Sequence, residues 1–204
     1  MTSPRSHGIQ AGAPALVLAS SSSYRRALLE RLGLPFTVVA PGIDEASRAG
    51  DLPATTSIRL AEAKARAVAT RLPDALIIGC DQVAACDGMA IGKPRDREDA
   101  VSQLKAMRGR TIVFHTAVAL LNARTDRCQV ALVDVASTFR LLSDDQLRSY
   151  VDRDQPYDCA GSVKCESLGI ALFSRIASDD PTALIGLPLI RLTEMLAAEG
   201  LQVL

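Results

Sequence analysis

Ala15-Leu16-Val17-Leu18-Ala19-Ser20-Ser21-Ser22-Ser23-Tyr24-Arg25-Arg26 decides the fold class. Its first five residues form a continuous apolar run, suited to a strand buried on both faces. Ser20 to Ser23 then supply turn and helix-cap chemistry. Tyr24 to Leu32 place Leu28, Leu29 and Leu32 at helical spacing, and Gly33 is a good C-terminal stop. A buried strand feeding a helix through a short polar loop is the unit of an α/β fold.

Working outward, the same alternation continues. Phe36–Val39 reads as a strand, and Pro41 to Pro53 as a polar, irregular stretch. A helix is expected from Thr56 or Ser57 to about Leu72, followed by a buried strand, Ala75–Gly79. Gln82 to Lys93 reads as a hairpin turning at Asp87-Gly88. Asp96 to Met107 reads as a helix. Thr111–Leu121 and Gln129–Leu141 read as long strands joined by a polar turn. Ser143 and Gln146 have capping-box spacing and open a helix to about Asp152. Gln155 to Gly169 reads as a polar loop, Ile170–Ile176 as a strand, and Pro188 to Glu199 as the last helix. There is no internal repeat and no linker. The pattern predicts a mixed sheet with flanking helices in one domain, residues 14–204, with two lobes around a cleft. Met1 to Ala13, rich in Gly, Ser and Pro, reads as a mobile tail.

Composition narrows the function. Of the 204 residues, 48% are hydrophobic, and 23 basic residues balance 23 acidic ones. A neutral chain argues against nucleic acid or a membrane surface as partner, since both demand net positive charge. A small anion needs only a local cluster of cations. The five cysteines form no CxxC pair and the two histidines stand alone, which argues against a disulfide framework or a zinc site. Reduced thiols point to a cytoplasmic protein. No apolar run approaches the ~20 residues of a membrane span.

Several stretches carry chemistry. Ser20–Arg26 sits between strand and helix, where N–H groups and an arginine suit a phosphate; a plain serine cap with solvated arginines fits equally well. Gly79-Cys80-Asp81-Gln82 is expected at the end of a buried strand, where α/β proteins gather ligands. Gly42-Ile43-Asp44-Glu45 offers a second carboxylate. Two carboxylates together with phosphate oxygens suit Mg²⁺, although each acid alone reads more readily as a surface turn. Lys64 and Lys93 are either phosphate cations or solvated lysines, and the Ile91-Gly92-Lys93-Pro94 setting favours Lys93 as a placed cation. Cys159 to Gly169 is long enough to be a binding loop or an ordinary mobile one.

In this order, the blocks Leu18–Arg26, Gly42–Glu45, Leu60–Ala67, Gly79–Gln82, Gly92–Asp96, Ala160–Gly169 and Gly186–Leu189 resemble the Maf-like nucleotide pyrophosphatases, over almost the whole chain. The resemblance implies an elongated mixed sheet split by a deep central cleft, as in inosine triphosphate pyrophosphatases, often within a homodimer. It implies cleavage of a nucleoside triphosphate between its α- and β-phosphates with a divalent cation, Mg²⁺ or Mn²⁺. Asp81 matches the family's proton acceptor. Ser20, Arg25, Lys64 and Lys93 fall at phosphate-handling positions, and Glu45 with Asp81 at the metal.

Three family positions associated with base choice read Tyr24, Gln82 and Glu166. They are similar to those of the subfamily that prefers 7-methyl-GTP, rather than to the Arg, Thr and Gln of the subfamily that hydrolyses dTTP and UTP. An aromatic face attracts the cationic methylated base, and Glu166 can accept from its N1–H and N2–H₂ edge. Cys80 and Cys165 stand where that subfamily carries Ser, and Ser167 where it carries Gly. A dTTP/UTP or broad-specificity enzyme is the alternative. A nucleotide-binding regulator without turnover, in line with the family's older description as septum-formation inhibitors, is a third reading.

Overall fold

A computed structural model describes residues 14–48 and 50–204. The expected N-terminal tail, Met1 to Ala13, lies outside the described residues. Strand β1 (Leu16–Ala19) leads into helix α1 (Ser23–Glu30), then β2 (Thr37–Val38), α2 (Pro53–Ala69), β3 (Leu76–Cys86) and β4 (Met89–Ile91). Helix α3 (Arg97–Met107) precedes the long hairpin β5 (Thr111–Asn122) and β6 (Arg127–Phe139). Helix α4 (Asp144–Asp154), β7 (Phe173–Ala177) and α5 (Leu189–Ala198) complete the order.

The seven strands form one mixed sheet in the order β2-β1-β3-β5-β6-β7, with β4 paired to β3. β1 runs parallel to β2 and β3, while β3, β5, β6 and β7 are antiparallel neighbours. The expected α/β class with a mixed sheet and flanking helices is therefore the observed one.

One irregularity of this sheet makes the cleft. β1 pairs with β3 only as far as Ala19 opposite Gly79, and β4 takes up the same edge at Ala84 opposite Ile91. Between them, Cys80 to Val83 have no strand neighbour on that side among the described residues. The other edge of β3 is paired with β5 from Leu76 to Ala85 without a break. Asp81 accordingly lies in the middle of an 11-residue strand. This corrects the expectation that the strand ends near Gly79: the sequence shows where the apolar run stops, but the β5 ladder carries the strand onward.

Other expectations differ in detail: β2 is Thr37–Val38 rather than Phe36–Val39, and β6 is Arg127–Phe139 rather than Gln129–Leu141. α2 starts at Pro53, three residues ahead of Thr56, because proline at a first helical position gives up no needed N–H and has its φ already set. The run Ile170–Ile176 is split: Leu168–Leu172 forms a 3₁₀ turn and only Phe173 onward is strand. The turn is tied by Gly169 and Ser167 N–H groups to the Lys164 carbonyl. The Gln155–Gly169 stretch is a fastened loop rather than a mobile one. Its Gly161 and Ser162 are buried, and Tyr150 bridges it, donating to the Ser162 carbonyl (3.2 Å) and accepting from the Lys164 N–H (3.0 Å). The capping box at Ser143 and Gln146 forms as the spacing predicts.

Candidate functional site

The site is built on the alternation of β3. Successive side chains point to opposite faces, so Gly79 and Asp81 share one face while Cys80 and Gln82 share the other. On the first face Gly79 admits the backbone of α2: a Cβ there would fall 2.0 Å from the Ala61 carbonyl oxygen. Ala61, Lys64, Ala65 and Val68 are the buried stripe of that helix, at the spacing that lines one face. The close approach carries Lys64 to Asp81, with Nζ 2.6 Å from Oδ1. The same ammonium reaches Glu45 Oε2 at 2.8 Å. Lys64 and Asp81 are almost fully buried, 3% and 6% exposed, whereas Glu45 is exposed. Burial raises the proton affinity of Asp81 above the ordinary carboxylate range and Glu45 adds to it, against the pull of Lys64 and Arg25. A carboxylate in that condition is a better proton acceptor at neutral pH than a free aspartate.

On the opposite face a turn receives Cys80 and Gln82. Buried Asp180 shapes it, accepting from Thr182 N–H and Oγ1 and from the Ile190 N–H. The turn offers main-chain carbonyls. Gln82 Nε2 donates to those of Ala183 (2.9 Å) and Leu184 (3.1 Å), and to Thr116 Oγ1 (2.9 Å). Carbonyls only accept, so the amide has one satisfactory orientation, and Oε1 faces away from them. The Gly186 carbonyl takes both Arg25 Nε (2.9 Å) and the Cys80 thiol (2.8 Å).

The two faces meet at a cleft of about 250 Å³ where the edge of β3 is bare. Ser20, Tyr24, Arg25 and Glu45 line it from the first part of the chain, and Lys64, Gln82, Lys93 and Glu166 from later segments. Asp81 is not part of the lining; it lies behind Lys64. Ser22 caps α1, accepting from the Arg25 N–H, and its own N–H donates to Ser20 Oγ. Among the described residues neither Arg25 nor Lys93 has a carboxylate within ion-pair distance. Unpaired cations beside a capped helix start form a ready anion site.

The wall opposite is acidic and aromatic. Asp158 and Glu166 both line the cleft. The Tyr24 hydroxyl donates to Asp158 (3.4 Å), and the Lys164 ammonium sits over the Tyr24 ring, 5.9 Å from its centroid. Asp158 and Thr116 are not singled out by the sequence. Asp158 stands inside the loop read as polar, and position in that loop was the only signal for it.

Among the described residues no three His, Cys, Asp or Glu side chains are grouped to hold a metal. Glu45 and Asp81 are brought together through Lys64. That donor set does not suit zinc. It does suit a hard cation that completes its shell with phosphate oxygens and water.

A profile of the family described as Maf-like protein matches residues 15–199. The chain is 56% identical to the 7-methyl-GTP pyrophosphatase of Methylobacillus flagellatus, over 94% of this chain and 100% of that one. It is 55% identical to the protein of the same name from Aromatoleum aromaticum, over 91% and 96% of the two chains. With that of Burkholderia orbicola it shares 56%, over 91% and 90%. A profile match over nine-tenths of the chain and full-length relatives at this identity place the chain in the family of Maf-like proteins.

Proposed function

We propose that the chain hydrolyses 7-methyl-GTP to 7-methyl-GMP and pyrophosphate. The observation that carries this reading is Lys64 holding Asp81 and Glu45 together beneath a cleft with unpaired Arg25 and Lys93. Water attacks the α-phosphorus, the bond to the bridging oxygen breaks, and pyrophosphate leaves. Asp81 accepts the proton of the water. Phosphate oxygens compete with Asp81 for Lys64, so substrate binding frees the base it needs. Arg25, Lys93, Ser20 and the N–H groups at the start of α1 take the charge that develops on the leaving group. Glu45 and Asp81 would hold Mg²⁺ or Mn²⁺, which neutralises phosphate charge when bound.

Base choice rests on Tyr24, Gln82 and Glu166. Gln82 presents Oε1 and Glu166 a carboxylate, two acceptors for the N1–H and N2–H₂ donors of a guanine edge. A uracil or thymine edge offers one donor between two carbonyls and would set oxygen against oxygen. Tyr24 supplies a face for the cationic methylated ring.

The test is kcat/KM for 7-methyl-GTP, GTP, dTTP and UTP with Mg²⁺ or Mn²⁺, on wild type and Glu166→Gln. We expect 7-methyl-GTP to lead. The variant should lose about tenfold on it, the low end for a charge-assisted hydrogen bond because Glu166 is exposed. Faster turnover of dTTP or UTP would overturn the substrate. Binding of nucleotide with no pyrophosphate release would favour a regulator.

A further inference from the structure

The cleft is divided by charge. Arg25, Lys64, Glu45 and Asp81 influence one another at one side. Tyr24, the residue next to Arg25 on α1, belongs to a different neighbourhood: its hydroxyl is held protonated by burial and by the negative groups around it, Asp158 and Glu166 among them. Burial, together with the same two acids, pushes the Cys159 thiol up to about 12. Lys164 brings positive charge to this wall, over the Tyr24 ring.

Two carboxylates around an aromatic ring that already attracts an ammonium describe a place for a second, flatter cation. Resting on the substrate reading above, we propose that Asp158 is a specificity-determining residue, whose negative charge beside Tyr24 selects the positively charged 7-methylguanine base over neutral guanine. Methylation at N7 leaves the Watson–Crick edge of the base with the same donors and acceptor. Gln82 and Glu166, which meet that edge, therefore recognise guanine whether or not it is methylated. Discrimination between the two has to come from charge or from the methyl group itself. Asp158 is placed to read the charge: its Oδ1 is 3.4 Å from the Tyr24 hydroxyl, at the rim of the ring that would stack with the base. It is exposed, so its influence is that of a screened charge, worth roughly three- to tenfold rather than orders of magnitude.

The experiment is the ratio of kcat/KM for 7-methyl-GTP to that for GTP, measured below the pH at which the methylated base loses its N1 proton. Wild type, Asp158→Asn and Asp158→Glu are compared. Asparagine keeps the acceptor for the Tyr24 hydroxyl and removes the charge; glutamate keeps the charge. Asp158→Asn should lower the ratio about three- to tenfold and Asp158→Glu should largely retain it. In wild type the ratio should also fall as salt rises from about 50 to 500 mM, and in Asp158→Asn it should fall less steeply, since Glu166 is then the one screened carboxylate left of the two. A merely structural role for Asp158 would not produce that salt difference. If wild type prefers 7-methyl-GTP and Asp158→Asn keeps the full ratio, the assignment of Asp158 fails while the substrate reading stands. An equal loss in Asp158→Glu also overturns it, since charge would not be what the residue supplies. A wild type with no preference for the methylated nucleotide overturns both.

Discussion

Lys64 meets Asp81 at 2.6 Å because Gly79, two residues earlier on the same face of β3, has no side chain to hold α2 away. Ala61 and Ala65, the residues of α2 nearest that glycine, are small for the same reason. Buried ion pairs are costly to desolvate and are weak stability devices. This one costs less in function than it would in a plain core, since its ammonium also lines the cleft.

Asp81→Asn should preserve the fold and remove turnover. The amide matches the carboxylate in size and still accepts from Lys64, but it takes no proton from water. The expected loss in kcat is roughly 10²–10⁴-fold, more if the metal is lost too. Pyrophosphate release alongside a thermal melt checks it; turnover near the wild-type rate would remove Asp81 from the chemistry.

Gly79→Ala separates the scaffold from the reacting groups. The added Cβ would meet backbone atoms, the Ala61 oxygen at 2.0 Å and the Ala65 nitrogen at 2.9 Å, and neither can swing aside. Overpacking of this kind costs about 3 kcal/mol, and any relief moves Lys64 away from Asp81. The denaturant midpoint and kcat should therefore fall together. A variant as stable as wild type would show that α2 does not rest on that glycine.

The thiols beside the cleft should be unreactive. Burial, with Asp158 and Glu166, pushes Cys159 up to about 12; burial and Glu166 do the same for Cys165. A raised thiol pKa means less thiolate at neutral pH, and thiolate is the reacting form. Alkylation at pH 7.5, followed by mass spectrometry, should be slower at both positions than for a free cysteine thiol. Faster labelling at either would contradict an acid-rich wall.

Activity should vanish on exhaustive chelation and return with Mg²⁺ or Mn²⁺. Two carboxylates and phosphate oxygens serve a hard cation. Pyrophosphate release that persists in excess EDTA would deny Glu45 and Asp81 a metal-holding role.

What the sequence made legible was local. The Ser20–Arg25 strand–loop–helix, the capping box at Ser143 and the order of elements follow from short-range periodicity and capping chemistry. What it hid depends on register between distant segments. The amide of Gln82 is fixed by Thr116, 34 residues on, and by the Ala183 carbonyl, 101 residues on. The length of β3 is set by its ladder with β5, not by its own apolar run. Glu45, readable alone as a surface turn acid, comes to Asp81 only through Lys64. Asp158 gains its place from the fastening of its loop by Tyr150 and by the Gly161 N–H to the Gly92 carbonyl.

The most direct measurement is product analysis of 7-methyl-GTP incubated with the purified protein and Mg²⁺ in ¹⁸O-labelled water. Attack of water at the α-phosphorus predicts 7-methyl-GMP and pyrophosphate in equal amounts, with the label on the monophosphate. Release of 7-methyl-GDP and inorganic phosphate, or label in the pyrophosphate, would contradict it.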